Sequence, residues 1–196
     1  KRTSERSKPM APFLKRAAEQ ASGDYICFLN NHYTPQDVNW LRALLMLCQR
    51  EDVGAVGGVL CSRSVIHSAG FALHADGGWT AMHGGRLRDW GYCGRMLYPI
   101  NVTACDLRFM MISATETASL NKSITACSSV VGAGIELSLL AQAHGKRNVI
   151  MPTAQAVTMA YRETARDARR EWQDQAYLGK TFKLPEADPF GIPKDF

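Results

Sequence analysis

Apolar residues follow two rhythms along this chain. In PFLKRAAEQA, Phe13, Leu14, Ala17 and Ala18 share one helical face, which predicts a helix over Ala11 to Ala21 stopped by Gly23. Asp24 to Leu29 is a continuous apolar run, the pattern of a buried strand, and it ends on Asn30, Asn31 and His32. Pro35 suits the first turn of a helix running through WLRALLMLCQ to about Arg50. Val53 to Cys61 (VGAVGGVLC) reads as a second strand, and Val102 to Ile112 as a third, with a helix from about Thr115. Ile135 to Ala143 predicts a helix ended at His144-Gly145. Asn148 to Met151 is a short strand before Pro152, and Ala165 to Leu178 a polar helix. Between Ser62 and Tyr98 the rhythm breaks into glycines and aromatics, which suggests short strands and a long excursion over one face. Strand and helix alternate, so the class is α/β. Residues 1–9 are expected to be frayed, 10–180 to form a single domain, and 181–196 to be an irregular, Pro-rich tail.

Composition narrows this picture only a little. The 196 residues suffice for a substantial core, and no apolar run approaches the length of a membrane span. A net charge of +5 permits an anionic partner, but much of the excess sits in KRTSERSK and RETARDARR. The acids interleaved in the second segment suit a solvated helix face, so a nucleic-acid surface would rest on basicity alone. The six cysteines form no CxxC and no close His pairing; buried free thiols in a reducing, cytoplasmic setting are expected rather than structural zinc.

The order of GDYICFLNN, NWLRALL, EDVGAVGGVL, SVIHSAGFAL, MHGGRLRDWGYCGRM, NVTA, GIELSLLAQAHGKRNVIMP and a late DPF resembles the C-terminal part of family-2 glycosyltransferases of the bacterial rhamnosyltransferase or O-antigen type. That resemblance implies a GT-A-like mixed sheet flanked by helices. It also implies transfer of a sugar from a nucleotide diphosphate to an acceptor hydroxyl, assisted by Mg²⁺ or Mn²⁺ and a carboxylate base. The family's nucleotide-contacting strands precede this region, so either the chain is a piece of a longer protein or the domain lacks that half.

Residue by residue, the resemblance departs at the chemistry. The metal motif falls on Asn30, Asn31 and His32, where the family ends in Asp. Two amides and an imidazole are a poor set for a hard cation. The base position falls on Gly134, which cannot take a proton, with Glu136 keeping an acid two residues on. The small segment beside the sugar is replaced by Asp106, Leu107 and Arg108, and a late contact motif by Thr158, Met159, Ala160 and Tyr161. If the first two motifs converge, His32→Asp and Gly134→Asp would set two carboxylates across one cleft. The glycine-rich middle, with His67, His83, Trp79 and Arg95, corresponds to the family's acceptor side and suits a sugar or phosphate surface.

The expected function is therefore a degenerate glycosyltransferase-like domain, a pseudoenzyme needing no cofactor. It would bind a nucleotide sugar or glycan, or act as a scaffold beside other domains of a larger glycan-assembly protein. The alternative is an active inverting transferase using Mg²⁺ or Mn²⁺, with His32 as ligand and Glu136 as base.

Overall fold

The computed structural model describes residues 11–82, 85–87, 89–120, 126–159 and 165–191. The elements run α1 (Ala11–Gln20), β1 (Tyr25–Leu29), β2 (Thr34–Pro35), α2 (Trp40–Cys48), β3 (Val53–Cys61), β4 (Ile66–Ser68), β5 (Phe71–Leu73) and β6 (Trp79–Ala81). They continue with β7 (Ile100–Val102), β8 (Phe109–Ser113), α3 (Ala114–Leu120), α4 (Val130–Ala143), β9 (Arg147–Val157) and α5 (Ala165–Thr181). A mixed sheet runs β1-β8-β3-β9-β2, with β4 added to β3 and β7 to β9, while β5 and β6 form a separate hairpin.

Alternation along the central strands separates two cores. Met110 and Ile112 of β8, Ala55 and Val59 of β3 and Ile150 of β9 face α4 and the hairpin. Phe109, Met111, Val56, Leu60, Val149 and Met151 face α2, where Trp40 meets Phe109 ring to ring at 5.5 Å. α4 is buried along nearly its whole length, with no polar stripe for solvent, as a helix enclosed by a sheet on one side and α5 on the other must be.

Several expected boundaries shift, each for a local reason. Pro35 opens no helix; it lies in β2 at the sheet margin, where a missing N–H breaks no ladder, and α2 begins at Trp40. Val102 to Ile112 is not one strand. Asp106 accepts from the Arg108 N–H and its carbonyl from the Phe109 N–H, a turn that separates β7 from β8. The last strand is longer than Asn148–Met151: it passes Pro152 through an irregularity in which the β3 register moves from Gly57↔Ile150 to Val59↔Gln155. α4 starts at Val130, earlier than expected, because Ser129 caps it by accepting from the Gly132 N–H. On α1, Leu14 is buried but Phe13 is 66% exposed, so the expected apolar face is only partly used.

Candidate ligand-binding site

The carboxyl ends of β1 and β3 point the same way, because both run antiparallel to β8 between them. At that end lies a cavity of about 490 Å³ lined by Val65, His67, Phe71, Trp79, Ala81, Arg108, Val131 and Glu171. Its walls come from β4 and the residue before it, the β5-β6 hairpin, the turn before β8, the first turn of α4 and the second turn of α5. Ligands of α/β folds collect at such a crevice.

Arg108 is the most constrained of the polar lining residues. Its Nε and Nη2 donate to the two oxygens of Asp106 at 2.9 and 2.6 Å, and the pair is almost wholly buried. The Arg108 carbonyl in turn accepts from the Asn30 N–H at 2.8 Å, which ties this turn to the tip of β1. Burial first, and the nearby Arg108 cation second, lower the His67 pKa from its ordinary value of 6.5, which favours the neutral imidazole. Trp79 is half-buried and adds an aromatic wall.

Of the residues expected on an acceptor side, the cavity thus gathers His67 and Trp79. Arg95 is turned elsewhere: its Nη2 donates to the Phe190 carbonyl at 2.7 Å, and burial lowers its pKa. Asp188 accepts from the Leu73 N–H at 2.7 Å, so the two contacts fasten the DPF segment against the hairpin. His83 lies outside the described residues. Thr158 is buried and Met159 is exposed; Ala160 and Tyr161 are also outside the described residues.

The positions implied for metal and base look different in space. Asn30 Oδ1 accepts from the His32 N–H at 2.9 Å, closing a small turn, and Asn31 and His32 are exposed. The nearest acid joined to this tip through the backbone, Asp106, has both oxygens occupied by Arg108. Two amides, one imidazole and a carboxylate already neutralised do not fit Mg²⁺ or Mn²⁺, which seek several available oxygen donors. Among the described residues, no group of three or more His, Cys, Asp or Glu is placed to hold a metal ion.

Glu136 is not at the cavity. It is 2% exposed and accepts from the Ala126 and Cys127 amides, both at 3.3 Å, and from the Tyr177 hydroxyl at 2.9 Å. That environment makes it a clasp between α4, α5 and the segment before α4, rather than an accessible base. Gly134 is closed as well: a Cβ there would sit 2.6 Å from the Leu107 nitrogen and 2.9 Å from the Cys105 carbonyl. The two positions expected to converge across a cleft, 32 and 134, are therefore separated by packed backbone on the 134 side.

Glu171 follows directly after RETARDARR, the segment expected to be a solvated face. The spacing Glu171, Asp174, Leu178 is helical and puts all three on one side, and Leu178 and Asp174 are buried. Asp174 accepts from the amides and hydroxyls of Ser128 and Ser129 at 2.6 to 3.2 Å. The thiols of Cys27, Cys48, Cys61, Cys105 and Cys127 are buried or half-buried, and desolvation raises the pKa of each, Cys105 to about 12. Cys93 departs from the expected burial; it is exposed.

Comparison with known proteins places this geometry. No protein-family model matches the chain. It is 27% identical over 185 residues to the O-antigen biosynthesis protein RfbC of Myxococcus xanthus, a match covering 90% of this chain and 14% of that protein. A crystal structure of GalNAc-T7 with UDP, GalNAc and Mn²⁺ superposes with a TM-score of 0.58 at 14% identity, over 87% of this chain and 35% of that one. A197 from STIV overlaps more loosely, with a TM-score of 0.42 at 16% identity, over 76% of this chain and 64% of that one. The chain therefore spans a small part of the length of the curated relative. Its sheet order and flanking helices give it a GT-A-type mixed α/β fold like that of GalNAc-T7, and its sequence is similar to that of an O-antigen biosynthesis protein.

Proposed function

We propose that this domain binds a saccharide or nucleotide sugar within a larger glycan-assembly protein and does not itself transfer the sugar. The observation that carries the reading is the closure at Gly134. Where the resemblance implies a catalytic carboxylate, the 105–107 backbone fills the space that any side chain would need. The buried clasp at Glu136 supports the same reading, since a base must reach the acceptor hydroxyl within hydrogen-bond distance. The neighbour with UDP, GalNAc and Mn²⁺ and the O-antigen relative favour a sugar or sugar nucleotide as the bound class. A reducing setting such as the cytoplasm suits six unpaired cysteines.

The test is steady-state release of nucleotide diphosphate from a panel of nucleotide sugars with Mg²⁺ or Mn²⁺. The expected rate is that of a blank without protein. Release above the blank, abolished by Glu136→Gln in a protein whose circular dichroism remains native, would overturn the proposal.

A further inference from the structure

We infer that the turn Asp188–Gly191 is a strap that holds the β5-β6 hairpin in the place where it walls the cavity, with Asp188 as the positioning residue. The inference concerns the shape of the cavity and does not depend on which ligand fills it.

The hairpin needs outside support. It carries Phe71, Trp79 and Ala81, the aromatic side of the cavity, yet it forms a sheet of its own with two strands. Two strands alone are marginally stable in water. Across the hairpin the His74 N–H donates to the Gly78 carbonyl, so even-numbered residues of β5 bond toward β6 and the odd-numbered N–H groups point away from it. Phe71 turns its N–H to the Ala104 carbonyl at 2.8 Å. Two residues on, among the described residues, no strand lies alongside; there Asp188 Oδ2 accepts from the N–H of Leu73, which is 1% exposed, at 2.7 Å. A carboxylate from the tail thus continues the edge that the backbone at Ala104 begins.

The sequence DPFG presets that carboxylate. Asp first, Pro second and Gly fourth are the residues a β-turn favours at those places. The Asp188 carbonyl accepts from the Gly191 N–H at 3.1 Å, and Asp188 Oδ1 from the Phe190 N–H at 2.8 Å, which leaves Oδ2 aimed at Leu73. Arg95 secures the other side of the turn. Its Nη2 donates to the Phe190 carbonyl at 2.7 Å and lies 3.8 Å from the sulfur of Met82, the residue after β6. The far end of the hairpin is held by α5: a Cβ at Gly77 would collide with the Gln175 carbonyl, and one at Gly179 with the Asp76 carbonyl, so the two backbones touch. Asp188, Phe190 and Arg95 are all outside the cavity lining. They act on it only through the strands that carry Phe71 and Trp79.

The experiment follows amide hydrogen exchange by NMR on the whole chain, with 5-fluorotryptophan reporting on the Trp79 side chain and Trp79→Phe assigning its ¹⁹F signal. In Asp188→Ala the amides of Phe71, Leu73 and His74 should exchange about tenfold faster, the size expected for losing one hydrogen bond to a charged acceptor. Those of Met110 and Met111 in β8 should stay as slow as in the wild type, and the Trp79 signal should move. Asp188→Asn keeps one of the two acceptor oxygens and should fall between wild type and Asp188→Ala. Arg95→Met removes the other attachment without touching Leu73 and should speed the same three amides. Unchanged hairpin exchange in Asp188→Ala would overturn the inference. So would an equal rise in β8 or a chain that no longer folds, since either would make the tail an undivided part of the core.

Discussion

A methyl group at position 134 would lie 2.6 Å from the Leu107 nitrogen, so Gly134→Ala forces α4 away from the 105–107 turn. The expected loss is about 2 kcal/mol in urea unfolding, typical of overpacking a dense interior. Gly134→Asp adds a buried charge to the same clash and should leave no cooperative transition. At Glu136 the partner hydroxyl of Tyr177 has its pKa pushed up to about 12, by burial first and the adjacent carboxylate second, so it remains a donor over the working range. Tyr177→Phe should cost about 1–3 kcal/mol, the scale of a hydrogen bond to a charged acceptor, with the fold otherwise retained. His67 sets a pH dependence whose sign is fixed by its lowered pKa. The unfolded chain takes up a proton at the ordinary 6.5, while the folded chain, with Arg108 and Glu171 lining the same cavity, takes it up only at lower pH. Between those two values stability therefore rises with pH, is complete above about 6.5, and falls as acid is added. His67→Gln should remove that dependence, which urea midpoints at about pH 5 and 7.5 would reveal; parallel midpoints for wild type and variant would contradict it.

At the scale of elements, α5 joins the cavity to the core. Glu171 lines the pocket, Asp174 grips the start of α4, and Tyr177 reaches Glu136, all from successive turns of one helix. Asp174→Ala strands the amides and hydroxyls of Ser128 and Ser129; a loss of about 3 kcal/mol and faster hydrogen exchange at those two amides are expected. Periodicity made much of this framework legible: YICFL and VGAVGGVLC are strands, the second buried at every position and the first a partly buried edge, and IELSLLAQA is helical throughout. It missed the start of α4 because Gly132 and Gly134 look like breakers, yet both are needed where Asp174 and the 105–107 turn press on the helix. His67 and Trp79 could be picked out as chemistry-bearing residues in a glycine-rich segment. Arg108 is marked beside a sugar only by the family resemblance, and Glu171 could not be placed with them at all, because only the packing of α5 brings it to the same wall. Arg95 is absent from the residues that line that wall; its guanidinium fastens a carbonyl in the tail.

Across the whole molecule, buried acids serve the architecture: Asp106, Glu136 and Asp174 each accept several hydrogen bonds inside the fold. Among the described residues, no helix is long and apolar enough to cross a membrane. The sheet ends on β1, and the bonds at either end of that strand settle which way its backbone faces. The Asn30 N–H reaches the Arg108 carbonyl and the Asp24 carbonyl receives the Ala114 N–H, so even-numbered residues bond inward to β8. The amides and carbonyls of Tyr25, Cys27 and Leu29 consequently point outward, and among the described residues no strand pairs with that side. An apolar strand with an uncovered row of donors and acceptors is a template on which another backbone can grow. In dilute protein, amide deuteration should be rapid at 25, 27 and 29 and slow at 26 and 28, and raising the concentration should slow the odd set first. Protection of Cys27 in the most dilute sample would mean that some backbone already lies along it.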